Sequence, residues 1–531
     1  MRCEVKRHKC KNMRPNVAKL TSGMDCSVVP MKRGNARGGR GAGHPLRNGG
    51  QLGRLGVKYG EAYTGTKSKD GYSQGGPVAA RAILSEDELP NAGSRGVAMG
   101  GTSRMTGDRP VRICEGSRVQ FPRSTRQAYW RVKANRGVAG IDGESLEMFE
   151  ADLTGNLYKL WNRLSSGSYF PPPVRQVEIP KKNGGVRILG VPTVADRVAQ
   201  QVVVKRIGGD LFGVFHPDSH GYQLDKSAVN AVANTRKRCW EYDWVVEFDI
   251  RRAFDELDWD LLRKAIAKHI KDPWCLLYIE RWLTTSAVSP DGQPVQRTKG
   301  VPQGSVIGPV LMNLFMTYAF DKWMEREHPN YPFSRYADDG VAHCRSEAEA
   351  TKLLARIKER LKECKLEMHP EKSGIVYCKD SLRRQDYPRI RFTFLGFEFR
   401  PRSARKRDGK IWTSFLPAIS ASAMKRIRQV IREWNLPRQT SVSLNELARR
   451  FNAHIRGWMN YYGHFYKSAL YRLYNHIDAK LVRWAQRKYR KLAGKPTRAQ
   501  AWLRTVVNRA PRLFVHWSAR GRVTVRTMGA V

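Results

Sequence analysis

Phe333-Ser-Arg-Tyr-Ala-Asp-Asp-Gly-Val-Ala-His-Cys344 is the stretch on which the reading of this chain turns. Two adjacent carboxylates, Asp338 and Asp339, stand between runs of apolar and aromatic residues that read as extended. The pattern predicts two strands joined by a tight bend, with the acids on the bend. Neighbouring carboxylates repel one another unless a cation neutralises them, and paired Mg²⁺ ions are the usual cation where phosphates are moved. Taken alone, an Asp-Asp pair is equally a solvated turn, so the decision rests on what surrounds it.

A third acid lies upstream, in Val245-Val-Glu-Phe-Asp-Ile-Arg-Arg-Ala-Phe-Asp-Glu-Leu257. Asp249 closes an apolar run, a place with no packing reason to bury a charge. Two metals about 3.5–4 Å apart need such a further carboxylate on a neighbouring strand. By itself a strand-terminal Asp is also a cap or turn residue, and Asp255, Glu256 and Asp258 read as helix-start acids. Between the two acidic elements runs Lys299-Gly-Val-Pro-Gln-Gly-Ser-Val-Ile-Gly-Pro-Val-Leu311, which leads into a helical pattern over 312–323. Gly and Pro at that density make a stiff loop whose free amides can face a nucleotide or template, with Gln303 placed to touch it.

Further out, the spacing predicts helices over 124–135 and 144–166, a turn over 137–143, and strands over 174–179 and 186–189. Lys181-Lys-Asn-Gly-Gly185 joins those strands as a basic hairpin turn. Helices follow over 195–206 and 258–270, with a strand over 245–250 between them. Strands and helices alternate without the regular βαβ spacing of a barrel, so the fold class is α+β. Beyond 420 the pattern is helical. Residues 1–120 hold 21 of the 46 glycines, with clusters such as Gly34-Asn-Ala-Arg-Gly-Gly-Arg-Gly-Ala-Gly43. They bury too little apolar surface to offset ordering entropy, and are expected to be a disordered extension.

Charge separates the chain into three parts. Residues 1–120 carry 22 basic and 9 acidic residues, 121–400 carry 44 and 35, and 401–531 carry 29 and 4, within a total net charge of +47. The middle is balanced like an ordinary globular body, whereas the end is a surface for polyanions. No apolar run approaches the ~20 residues that span a bilayer, and no secretion signal is legible at the N-terminus. The 9 cysteines form no Cys-x-x-Cys pair, so neither a disulfide framework nor a zinc ribbon is expected. An intracellular nucleic-acid partner is the expectation, with no membrane partner.

Taken in order, Phe248-Asp249 with Phe254, Pro302-Gln303-Gly304, Tyr336-Ala-Asp-Asp339 and Phe394-Leu-Gly-Phe397 resemble the successive motifs of the reverse transcriptase palm. The wording is most similar to that of group II intron-encoded reverse transcriptase/maturases. Arg131-Val-Lys-Ala-Asn-Arg-Gly-Val-Ala-Gly-Ile-Asp-Gly143, Ile179-Pro-Lys-Lys-Asn-Gly-Gly-Val-Arg-Ile-Leu-Gly190, Asp196-Arg197-Val198, His369-Pro-Glu-Lys-Ser-Gly374 and Arg456-Gly-Trp-Met-Asn-Tyr-Tyr462 extend the resemblance over 124–531.

The resemblance implies a right-hand polymerase fold. Fingers and palm would occupy 121–400, followed by an all-helical thumb and maturase region over 401–531. It implies RNA-directed DNA polymerase activity on an RNA template with a DNA primer and deoxynucleoside triphosphates. Asp249, Asp338 and Asp339 would be catalytic and would hold two Mg²⁺ ions, for which Mn²⁺ can substitute, with the Ile250 carbonyl as a further ligand. Lys181, Arg187 and Lys372 would meet the nucleotide. Phe254 would sit under its sugar and exclude a 2′-hydroxyl, and Phe394, Leu395, Gly396 and Phe397 would form the primer grip. Each basic residue is also readable as a solvated surface charge.

In the tail, cations interleave with rings. Arg456, Trp458, Tyr461, Tyr462, Lys467, Arg472, Arg487, Lys488 and Arg490 are the candidate RNA contacts, by phosphate pairing and base stacking. About half of the tail's rings are equally a helix-bundle core. The resemblance makes the partner the encoding group II intron RNA, whose splicing-competent fold would be stabilised, with target DNA as the site of mobility. Many relatives continue into a His-Asn-His endonuclease with Cys-x-x-Cys pairs. Neither motif is in this sequence, so a primer from elsewhere, such as a replication fork, is expected. Two other readings stay open: a domesticated reverse transcriptase in defence or repair, and a splicing-only RNA binder.

Overall fold

The computed structural model describes residues 123–180, 185–223, 225–405 and 409–519. The extension expected over 1–120 and the candidate Lys181 lie outside the described residues.

Eleven strands among the described residues form three sheets: β1 (Val174–Pro180), β2 (Val186–Val191), β3 (Trp244–Asp249), β4 (Ala287–Val288), β5 (Pro294–Val295), β6 (Phe333–Tyr336), β7 (Asp339–Cys344), β8 (Gly374–Tyr377), β9 (Phe392–Phe394), β10 (Phe397–Arg405) and β11 (Ile411–Ile419). The central sheet has the order β6-β7-β3-β8, all antiparallel. Alternation along its strands feeds two cores. Val246 and Phe248 join one, with the helices Gly308–Met316 and Glu347–Glu363, while Val245 and Val341 join the other. Burial on both faces explains why β3 reads as a mostly apolar run, interrupted by Glu247, rather than an alternating one. An ideal Cβ at Gly340 would lie 2.2 Å from the Phe248 ring, so only glycine lets that ring cross β7.

The hairpin β1–β2 pairs through β1 with the short strand β4, which in turn pairs with β5. The hairpin β10–β11 carries β9 on its edge. Residue 400, the boundary expected from charge, falls inside β10; the first helix of the C-terminal region is Ala421–Glu433. Two helix expectations also change. The single helix expected over 144–166 is two, Leu146–Ala151 and Leu153–Ser165, because the Asp152 carboxylate caps the second by accepting from Gly155 N at 3.1 Å. The helix expected over 312–323 begins earlier, at Gly308, and contains a π-helical segment, Thr317–Asp321.

The C-terminal helices Ala421–Glu433, Leu444–Tyr462, Tyr471–Lys488 and Pro496–Arg509 bury one face each. Ile427, Ile431, Leu447, Ile455, Ile477, Leu481 and Trp484 pack into the second core, against Phe397, Phe399 and Phe415 of the β10–β11 hairpin. Each such side chain stabilises the fold by roughly 1.5–3 kcal/mol, which fixes helices whose outer faces are left to charge.

Candidate active site

The β6–β7 bend brings the predicted acids together with Asp249. Asp249 pairs with Asp339 across β3 and β7, and Tyr336 pairs with Asp339 across β6 and β7, so Ala337 and Asp338 form the bend between the strands. Ala337 takes a left-handed φ of 58°, a conformation an L-residue adopts only when its surroundings impose it. The surroundings here are a buried polar cluster. Arg335, fully buried, donates from Nη1 to the Ala337 carbonyl at 2.8 Å and to Asn313 Oδ1 at 3.2 Å. Its Nε and Nη2 donate to the two oxygens of buried Asp321 at 2.7 and 2.5 Å, and Nη2 also reaches Ser219 Oγ at 3.0 Å. Gly221 adds a steric reason: an ideal Cβ there would come 2.7 Å from Ala337 N.

Crowding sets the charge state of the acids. Burial, reinforced by Asp249, pushes the Asp338 carboxyl up to about 6, with Arg187 and Lys372 pulling the other way. Burial followed by repulsion from Asp249, Asp338 and Glu247 holds Asp339 well above the carboxylate range, with the Leu395 backbone opposing. Glu247, two residues before Asp249, is pushed up to about 7 by burial. The Lys372 ammonium sits 2.6 Å from Asp249 Oδ2. Among the described residues no group of three or more Asp, Glu, His or Cys side chains is arranged as a ready cage for a metal ion. The donor chemistry nonetheless suits a hard divalent cation: carboxylate oxygens on two paired strands, raised in pKa by burial and then by one another's charge. Ile250 is buried next to them and bridges Met368.

The loop before the helix Gly308–Met316 is bolted to both neighbours. Val301 N donates to the Phe254 carbonyl and Gly300 N to the Leu257 carbonyl, each at 2.7 Å. Gly300 has φ +78°, and an ideal Cβ there would lie 2.5 Å from Asp255 O. Gly190 N, in β2, donates to the Gln303 carbonyl at 2.7 Å. The Gln303 amide, expected to face a nucleotide, instead donates to both Asp255 oxygens at 3.1 and 3.0 Å. Phe254 is buried in the turn Ala253–Glu256. Behind the loop, Gln200 Oε1 accepts from Ser305 Oγ, Val306 N and Ile307 N at 3.0, 2.7 and 3.2 Å. Gln200 is itself held by Asp196, which also accepts from Tyr169 and Trp282. Arg187 is exposed on β2.

At the candidate primer grip, Phe394 and Phe397 are fully buried, so only the turn between them faces outward. That turn has φ of 50° at Leu395 and 80° at Gly396, both left-handed, the conformation of a tight two-residue hairpin. The Leu395 carbonyl accepts from Tyr461 Oη at 2.9 Å, and Gly396 O accepts from Ser420 N at 3.0 Å.

Residues 179–399 match the reverse transcriptase (RNA-dependent DNA polymerase) family, and residues 424–502 match the group II intron maturase-specific domain. The chain belongs to the group II intron-encoded reverse transcriptase/maturases. The group II intron-encoded protein LtrA of Lactococcus lactis subsp. cremoris is 24% identical over 425 residues, 63% of this chain and 68% of that protein. Protein YkfC of Escherichia coli (strain K12) is 33% identical over 36% of this chain and 50% of its own length. The putative COX1/OXI3 intron 1 protein of Saccharomyces cerevisiae is 29% identical over 38% of this chain and 26% of its own. The chain thus spans about a quarter of the yeast relative and half of YkfC. The fold of this reverse transcriptase/maturase is the right-hand polymerase fold continued by helices.

Within the maturase-specific stretch the candidate RNA contacts divide. Arg456, Lys467, Arg472, Arg487 and Arg490 are exposed. Tyr462 is buried against Phe397, Tyr461 is half-buried with its hydroxyl on Leu395, and Trp458 lies 5.4 Å from Trp434 in a parallel stack. Those ring faces are taken by packing, the core alternative that the spacing left open. Lys488 also works inward, donating from Nζ to Thr440 O at 2.6 Å and Val442 O at 3.2 Å. Sequence reasoning did not single out Arg335, Asp321, Asn313 or Gln200. The signal for Arg335 was present, an arginine inside a strand otherwise bound for the core. No helix among the described residues is long and apolar enough to cross a membrane.

Proposed function

We propose that this reverse transcriptase/maturase copies an RNA template into DNA from a DNA primer, and binds group II intron RNA through its C-terminal helices to assist splicing and mobility at target DNA. The observation that carries the reading is the register of Asp249 with Asp339, beside Asp338 on an imposed bend. Three acids so crowded that two are held above their ordinary range are costly, and a bound divalent cation offsets that cost.

Asp249, Asp338 and Asp339, with the Ile250 carbonyl, would hold Mg²⁺, or Mn²⁺ in its place, as a pair of ions. When bound, the metal supplies Lewis acidity toward the primer hydroxyl and the phosphates. The chain's own residues do the rest. Arg187, on β2, and Lys181 would clamp the triphosphate by charge-assisted hydrogen bonds. Lys372 would trade its contact with Asp249 for one with the incoming nucleotide. Phe254 would set the sugar specificity toward deoxynucleotides, and Gln303 would leave Asp255 for the template or nucleotide. The Leu395–Gly396 turn would offer backbone groups to the primer. Residues 121–400 would then be fingers and palm, and 401–531 thumb and maturase domain, the latter meeting RNA through Arg456, Lys467, Arg472, Arg487 and Arg490.

The test is deoxynucleotide incorporation on a primed RNA template with Mg²⁺, comparing the protein with Asp338→Asn. Incorporation abolished by the substitution is the expected result. Equal incorporation by both proteins overturns the assignment of the acids. Absence of incorporation in the unaltered protein overturns the polymerase reading and leaves RNA binding to be assayed alone.

A further inference from the structure

Asp196 and Gln200 stand one turn apart on the helix Val194–Asp210, only 1% and 2% exposed. An acid and an amide at that depth are costly unless their polar atoms all find partners. Asp196 Oδ1 accepts from Trp282 Nε1 at 2.7 Å and from Tyr169 Oη at 3.0 Å, and Oδ2 accepts from Gln200 Nε2 at 2.9 Å. Burial pushes the Asp196 carboxyl up to about 6, opposed by those three donors and by Arg197. Near neutral pH it is therefore ionised and can only accept, which turns the Gln200 oxygen away from it.

That oxygen faces the Gly/Pro loop. It accepts from Val306 N, Ile307 N and Ser305 Oγ, and Ser305 Oγ in turn accepts from Gly308 N at 3.2 Å. The helix Gly308–Met316 has no side-chain cap from its own N-cap residue, Ile307. Gln200 and Ser305 satisfy the amides that such a cap would serve. The amides of residues 306–308, expected from the sequence to be free for a nucleotide, thus point into the protein. The accessible part of the loop is Pro302–Gly304, with Gly304 exposed. This part is bonded to the nucleotide side of the site, through Val301 N to the Phe254 carbonyl and through the Gln303 carbonyl to Gly190 N on β2. An ideal Cβ at Gly304 would lie 2.4 Å from the Gly190 carbonyl oxygen, so the loop has no slack against that strand.

We propose that Gln200, oriented by Asp196, is a positioning residue for the nucleotide site: it anchors the far end of the loop that carries Gln303 and is bonded to the Phe254 turn. Neither residue touches the acids of the bend, and neither would touch nucleotide or primer. The inference rests on the polymerase reading above and adds to it the buried pair that sets where the loop stands.

The polarity of this pair can be inverted while its shape is kept, which supplies the test. In Asp196→Asn the asparagine oxygen stays on Trp282 Nε1, which can only donate, so the two amides of the pair meet donor to donor. In Gln200→Glu two carboxylates face one another. In the double variant the new amide donates to the new carboxylate, whose other oxygen still accepts from the loop. Steady-state incorporation on a primed RNA template, primer–template affinity without nucleotide, and melting temperature are measured for the full chain and all three variants. Each single substitution should lower kcat/KM for deoxynucleotide about ten- to a hundredfold, chiefly through KM, and leave primer–template affinity unchanged. The double variant should recover most of that loss. Single variants that match the unaltered protein, a double variant no better than either parent, or losses shared equally by nucleotide and primer–template overturn the proposal. Should the single variants fail to fold, Ser305→Ala carries the test by removing one of the three donors to Gln200. A raised nucleotide KM at unchanged primer–template affinity supports the proposal, and an unchanged KM overturns it. Absence of incorporation in the unaltered protein is a separate outcome that overturns the polymerase reading and this inference with it, whereas equal incorporation by all the proteins strikes this inference alone.

Discussion

At the β6–β7 bend, acids stand on a backbone whose conformation is dictated atom by atom, with Arg335 and Gly221 leaving Ala337 a single place to go. On the helix Tyr471–Lys488, cations line an open cleft at ordinary helical spacing, on side chains long enough to adjust. One region obtains its effect from position and the other from field. The contrast teaches what each chemistry requires. Bringing a hydroxyl, a phosphate and a cation into line tolerates little displacement, whereas holding a polyanion needs summed charge and few fixed distances.

The largest effect should come from the acids. Asp338→Asn or Asp339→Asn is expected to lower deoxynucleotide incorporation on the order of a thousandfold or more, read by primer extension. The same substitutions should leave the melting temperature unchanged or raise it. A small loss of activity would break the contrast by showing the bend to be no more demanding than the cleft.

Next is the support under the bend. Arg335→Met removes one partner of a buried ion pair and leaves Asp321 uncompensated, at a cost of about 3–5 kcal/mol. Chemical denaturation measures it. Adding Asp321→Leu should recover part of that stability without recovering activity, because the Ala337 carbonyl still lacks its donor. Full recovery of activity would mean that the bend holds itself.

A pH dependence sharpens the comparison further. The Asp338 carboxyl is raised to about 6 in the folded state, above its unfolded value. The folded state therefore binds more protons between those values, and metal-free stability should fall as pH rises from about 4 through 6. Asp338→Asn should flatten that part of the profile, and Mg²⁺ should raise the melting temperature more at pH 8 than at pH 5. A profile unaltered by the substitution would remove the electrostatic argument for a cation at the bend.

The smallest effect belongs to single surface cations. Arg472→Gln should reduce the salt dependence of RNA binding by about one phosphate equivalent and alter stability by no more than about 0.5 kcal/mol. A large single effect would show that the tail also relies on position.

What could be read in the sequence follows the same division. Asp249, Asp338 and Asp339 were legible because a carboxylate closing an apolar strand is costly unless something binds it; the sheet sets Asp249 opposite Asp339, with Asp338 on the bend beside it. The tail's cations were legible as composition. Its rings were not: at helical spacing Trp458, Tyr461 and Tyr462 look the same whether they stack on bases or fill a core, and here they pack. The contacts that hold Gln303 and Lys488 were not legible either, because a polar side chain near a site does not announce its partner; here Asp255 and two backbone carbonyls hold them. The break at Asp152 was hidden because one capping hydrogen bond outweighed an otherwise continuous apolar spacing. Arg335 and Gln200 act only through contacts far along the chain, which periodicity cannot see.

The second core has a consequence for how this protein can be cut and recombined. Val245 and Val341 of the central sheet, Phe397 and Phe399 of the β10–β11 hairpin, and Ile427, Leu481 and Trp484 of the C-terminal helices belong to one continuous apolar cluster. The seam between the acidic and the basic regions is therefore sealed with oil. Severing the chain near residue 420 would give two fragments with large sticky faces, and grafting the helices of another family member would demand re-fitting aromatic rings across the joint. The sheet that carries the acids and the helices that carry the tail's cations are one casting, not interchangeable cassettes.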